Sequence, residues 1–208
     1  MTKNGQIIIP DYEENYTEEE RTAYHEAGHV FMYHRAPFTK SISATIIPKA
    51  DGSEPGRTHA KVYTPYYEAI YSGKKTRSNL HLLDLYVVTF NGGWAAEMVK
   101  FWDSDDYAEL GAYGDFREAQ DLLSKYYTDE NNELTRMIIW HRDLAIRLMK
   151  NPRNWDIIDA IAEALLQHKT LTHEQIKKVI RETPNKQQIQ ESRRSKRLKS
   201  LRKSLDSL

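Results

Sequence analysis

The chain has 208 residues, 39% of them hydrophobic and 29% charged, with 13 tyrosines and 4 tryptophans. That composition belongs to a folded body long enough for one substantial domain, and it excludes a disordered chain. There is no cysteine, which excludes disulfides and Cys-based zinc ribbons and leaves His and carboxylates as the ligands any metal would use. Formal net charge is zero, but it is unevenly spread. Residues 185–208 hold eight basic side chains (Lys186, Arg193, Arg194, Lys196, Arg197, Lys199, Arg202, Lys203) against Glu191 and Asp206. An acidic body with a basic tail suits an anionic partner: nucleic acid, a lipid surface or the body itself.

Met1 to Tyr16 shows no basic segment followed by an apolar one and no small-residue cleavage site, so it reads as an N-terminal extension rather than a secretion signal. No apolar run approaches the ~18 residues that span a bilayer. A soluble, cytoplasmic protein is expected. Thr17 followed by Glu20 makes a capping-box pattern, and three glutamates suit a helix N-terminus, so Thr17–Arg35 reads as a helix ended by Pro37. Recurring β-branched residues predict short strands at Ser41–Ile47 and Arg57–Thr64 around a turn with Asp51, Gly52, Pro55 and Gly56. Asn79 reads as the cap of a long helix running through Gly92 and Gly93 to Phe101, the paired glycines implying close backbone packing. A polar loop is expected over Trp102–Gly114. Helical patterns follow at Asp115–Tyr127, Glu133–Met149, Arg153–His168 and Thr172–Glu182, and the basic tail reads as solvated disorder. The fold class is thus mainly α, an α+β domain with a small sheet or hairpin, and the organisation is extension (1–16), domain (17–184) and tail (185–208).

His25-Glu26-Ala27-Gly28-His29 is an H-E-x-x-H pattern inside the first helix. Residues four apart share a helix face and can ligate one zinc ion, while Glu26, offset by one position, can serve as general base in peptide hydrolysis. A catalytic zinc needs a third protein ligand and an open position. No further histidine follows at the spacing of the extended motif, so the third ligand comes from afar. Spacing leaves Glu97, Asp103, Asp105, Asp106, Glu109, Asp115, His59, His81, His141, His168 and His173 open.

The segment Thr22–His29 resembles the metal helix of the FtsH-type zinc peptidases, whose members usually carry an AAA ATPase and membrane segments. Ile46–Lys49 with Pro55–Thr58, Gly92–Glu97 and Gly111–Asp115 with Ala119 are similar to that family's strand, paired-glycine helix and third-ligand segment, and Ala160–Ile180 to its closing helices. The resemblance, covering about Tyr16 to Arg181, implies a helical zincin-like metallopeptidase domain with Zn²⁺ on His25, His29 and Asp115, Glu26 as base, and Glu97 beside a ligand histidine. It also implies that the strand Ile42–Ile47 aligns an extended substrate. Three departures touch substrate handling and helix contacts: Trp94 stands for an Arg, Lys49-Ala50 for Arg-Gly and Leu110 for Thr. No Walker A pattern occurs, so the expectation is an ATP-independent metalloendopeptidase standing without its ATPase, acting on unfolded or flexible protein segments. A catalytically idle zinc-bearing adaptor and a single-target regulatory protease are the alternatives. Family hexamers leave a homo-oligomer and a monomer equally open here.

Overall fold

The structure, a computed structural model, describes residues 2–3, 6–7, 16–101 and 111–183. Expectations for the basic tail and for most of the loop Trp102–Gly114 fall outside those residues. The extension contributes a short antiparallel pair, β1 (Thr2–Lys3) and β2 (Gln6–Ile7). The capping box at Thr17 forms as its residue types dictate: the Thr17 side chain accepts from the Glu20 N–H and the Glu20 carboxylate accepts from that of Thr17 at 2.8 Å. It launches α1 (Glu18–Arg35), which is buried along most of its length through Ala23, Ala27, Val30 and Phe31.

β3 (Thr39–Thr45) and β4 (Arg57–Val62) pair antiparallel, with Lys40 bulged out of register between Thr39 and Ser41. β5 (Thr170–Leu171) pairs with β3 on its other side through Thr45 and Ala44, giving the order β4-β3-β5. The strand expected to offer an edge to substrate is therefore the central one, and β4 and the two-residue β5 are the outer strands. Ile42 and Ala44 of β3 point into the core, whereas Ser41, Ser43 and Thr45 face the other way.

α2 (Thr64–Tyr71) was not expected: the sheet segment ends earlier and Pro65 opens a helix. α3 (Arg77–Phe90) is capped by Thr76, whose side chain accepts from the Asn79 N–H, so Asn79 lies inside the first turn instead of capping it. Asn91 then interrupts the long helix expected through the glycines, and α4 (Gly92–Phe101) starts anew. α5 (Tyr113–Leu123) begins two residues before the expected Asp115. After a short 3-10 turn (Glu130–Asn132) come α6 (Glu133–Met149), α7 (Pro152–His168) and α8 (His173–Glu182), the last with a capping box between Thr172 and Gln175.

One core gathers α1, α4, α6, α7 and β3 around Val30, Phe31, Ile42, Met149, Ile161 and Leu165. A second joins Phe38, Ile70, Leu83, Val87, Leu123 and Tyr126 beneath α2, α3 and α5. Fully buried aliphatic side chains of this kind are worth about 1.5–3 kcal/mol each. Between α1 and α4 the backbones themselves meet: a Cβ added at Gly28 or at Gly92 would collide with the other glycine's backbone. No helix among the described residues is long and apolar enough to cross a membrane.

Candidate metal centre

His25 and His29 sit one turn apart on α1, and Asp115 reaches them from the first turn of α5. Nε2 of His25 and Nε2 of His29 are 3.0 Å apart, and Asp115 Oδ2 lies 3.3 Å from the first and 3.1 Å from the second. One ligand atom from each of the three falls within 4.8 Å of the others. The opposite side of each ring is anchored. His25 Nδ1 donates to Glu97 Oε1 at 2.6 Å and His29 Nδ1 donates to the Thr89 carbonyl at 2.8 Å.

That anchoring has a chemical consequence. When the rings are neutral, with Nδ1 of each carrying the donated proton, both Nε2 atoms present lone pairs, and they converge with a carboxylate oxygen on one point. Three acceptors so close call for protons or a cation between them, and two imidazoles with one carboxylate are a donor set that zinc favours. The residues thus fit such an ion.

The same demand is visible in protonation. Burial alone pulls His25 down, but hydrogen bonds to Asp115 and Glu97 outweigh it and hold the ring well above the ordinary histidine value. His29 is also raised, its burial outweighed by the Asp115 charge. Asp115 is lowered, because the two rings overcome the burial that would push it up. Burial and the neighbouring Asp115 charge raise Glu118, one turn further along α5.

Glu26 is buried at 4% exposure, and its Oε2 accepts from the Thr58 hydroxyl at 2.7 Å. A Cβ at Gly56 would collide with Thr22 Cγ2 and press on Glu26 Oε1 and the Thr45 carbonyl, so the turn before β4 carries glycine there. Of the other third-ligand candidates, Glu97 stands behind His25, His141 is buried against Asp84 and Met137, and His173 Nδ1 accepts from the Ile42 N–H. His59, His81 and His168 are exposed away from the triad, while Asp103, Asp105, Asp106 and Glu109 lie outside the described residues.

Sequence reasoning missed Thr89 and Thr58. A backbone carbonyl carries no residue signature, and the threonine meets Glu26 only across the sheet-to-helix packing. Trp94 packs edge-on to Phe116 at 5.7 Å, and the Arg142 guanidinium of α6 covers both rings. A charged group thus does stand over the Trp94 position, supplied from another helix.

These features define a helical domain with a candidate metal site built on an H-E-x-x-H helix. No family model matches the chain. It is 27% identical to the ATP-dependent zinc metalloprotease FtsH 2 of Phytoplasma mali (strain AT), over an alignment of 194 residues taking in 80% of this chain and 26% of that protein. The ATP-dependent zinc metalloprotease FtsH of Aster yellows witches'-broom phytoplasma (strain AYWB) matches at the same identity and coverage. The resemblance to FtsH-type peptidases drawn from short motifs therefore extends along most of the chain, which spans about a quarter of the length of these curated relatives.

Proposed function

We propose that residues 17–184 form a zinc metalloendopeptidase domain that hydrolyses peptide bonds in unfolded or flexible protein segments, with His25, His29 and Asp115 holding the metal and Glu26 as general base. The observation that carries this reading is the convergence of two imidazole lone pairs and one carboxylate oxygen on a single point, each ring anchored from behind. A purely structural zinc site closes its fourth position and has no use for a base; here Glu26 follows a ligand directly in sequence.

Zinc at this position supplies Lewis acidity, which makes water nucleophilic near neutral pH and polarises a carbonyl. The protein's own residues do the rest. Glu97 and Thr89 keep the imidazoles in the tautomers that point Nε2 inward. Glu26 takes the proton of the attacking water and delivers it to the leaving amine, its carboxylate steadied by Thr58. Low exposure of Glu26 and His29 limits competing solvation of the charges that develop. None of these steps calls for a nucleotide, so hydrolysis by this domain proceeds without ATP.

The test is cleavage of a permanently unfolded, fluorescently labelled protein without ATP by wild type and by Glu26→Gln, with zinc content measured on both. Cleavage by wild type alone, with zinc in both, is the expected result. Zinc in both and cleavage by neither would sink the general peptidase reading.

A further inference from the structure

β4 is the longer of the sheet's two outer strands: β3 pairs along one side of it, and no described residue pairs along the other. Its alternate residues Arg57, His59 and Lys61 stand opposite Thr45, Ser43 and Ser41 of β3, on the face turned away from the buried Ile42 and Ala44. Side chains two apart along a strand share a face, so the three form one row. His59 and Lys61 are exposed and Arg57 is half-buried. Neither Arg57 nor Lys61 has an acidic partner among the described residues. Thr58, between the first two, faces the other way and donates to Glu26, so this edge runs directly past the candidate base.

We propose that the outer edge of β4 receives an extended substrate segment carrying Asp or Glu at alternate positions, read by Arg57 and Lys61 with His59 between them. The inference rests on the peptidase reading above and narrows its substrate class from any flexible segment to acidic ones. Unpaired N–H and C=O groups of an edge strand recruit another strand, and the backbone bonds supply affinity without sequence preference. Preference comes from side chains. A residue of the added strand directly opposite a β4 residue brings the Cβ atoms within about 5 Å, where opposite charges attract and like charges repel. An acidic strand gains at two positions, and a basic one loses at the same two. The row also opposes pairing with the β4 of a second copy, which would set like charges against each other. A nucleic acid would satisfy the charges but leave the strand's backbone groups unpaired, so the edge geometry favours peptide.

The experiment uses the full zinc-loaded chain and three unstructured fluorogenic peptides that are identical except for Glu, Gln or Lys at three alternate positions. Binding is read by anisotropy on the Glu26→Gln protein, and cleavage is read on wild type. The Glu peptide should exceed the Lys peptide by about tenfold in both affinity and kcat/KM, as one exposed and one half-exposed charge pair allow, and the ratio should shrink as salt is raised. Arg57→Glu with Lys61→Glu should reverse the order; should that variant fail to fold, Arg57→Gln with Lys61→Gln should bind all three peptides alike. Equal treatment of the peptides by wild type, or a Glu preference that survives either pair of substitutions, overturns the inference and leaves peptide hydrolysis standing. A Glu preference in binding with no cleavage sustains the docking of an acidic strand on β4 but overturns the hydrolytic reading and, with it, that strand's role as substrate. An unstructured RNA that binds where none of the peptides does also overturns it.

Discussion

Gly93 lies against the ring of His25 so closely that a Cβ on the glycine would overlap Nε2, Cδ2 and Cε1 of the imidazole. The second glycine of the pair is therefore a condition for the position of a candidate ligand, beyond any service to helix packing. Gly93→Ala should push the ring off its anchor on Glu97. Zinc affinity should fall by about tenfold or more, and overpacking should cost about 1–3 kcal/mol of stability. Chelator competition and melting of the metal-free protein measure the two separately, and an unchanged zinc affinity would show that the ring can move aside.

Glu97→Gln keeps an acceptor within reach of His25 Nδ1 and removes the charge. Because the Glu97–His25 contact is short and Glu97 is buried, zinc affinity should drop by about 10- to 100-fold with little change in the helical circular dichroism. The same substitution at exposed Glu174 should leave both unchanged.

Thr58→Val removes the hydroxyl that donates to Glu26 and leaves a side chain of similar shape. A hydrogen bond to a charged group contributes about 1.5–3 kcal/mol, so kcat should fall by about tenfold or more while zinc content and KM hold. Loss of zinc in this variant would assign Thr58 to the fold instead of to the base.

Protonation of the metal-free site gives a sign that can be checked. A raised histidine stabilises the fold fully below its unfolded value near ~6.5 and loses that contribution as pH rises through its folded value. The lowered Asp115 contributes above its unfolded value near ~3.9 and loses it as pH falls through the folded one. With His25 and His29 raised and Asp115 lowered, the metal-free triad stabilises most between about pH 4 and 6.5 and less above about pH 7. Zinc must displace the imidazole protons, so its binding at pH 7 should release about one to two protons. Titration calorimetry in buffers of different ionisation enthalpy reads that number, and no release would contradict the site.

The parts of the fold legible in the sequence were those whose cause is local. Thr17 and Glu20 announce α1 by a reciprocal cap, and the period of apolar residues in Glu133–Met149 sets α6 to its ends. α2 was hidden because Tyr66, Tyr67 and Tyr71 suit strands as well as helices and only Pro65 marks the start. The central place of β3 was illegible since its second partner, β5, is two residues long and lies more than a hundred positions away. In the site, His25, Glu26 and His29 share one turn of helix and declare themselves. Asp115 has no spacing to announce it and was singled out by resemblance alone, while Thr58 and Thr89 act through contacts that only the folded chain creates.

The helix that carries His25, Glu26 and His29 packs on α3, α4, α7, β3 and β4 at once, with Ala23, Ala27 and Val30 wholly enclosed. In most folds, reactive groups ride on loops that can yield without disturbing the core. Here the chemistry and the most enclosed helix are the same object. Amides of α1 should be among the last to exchange with solvent, and His25, Glu26 and His29 have little room to loosen short of global unfolding. Heat inactivation and melting then become one event, and a sequence change that alters reactivity through α1 is judged at the same moment for foldedness.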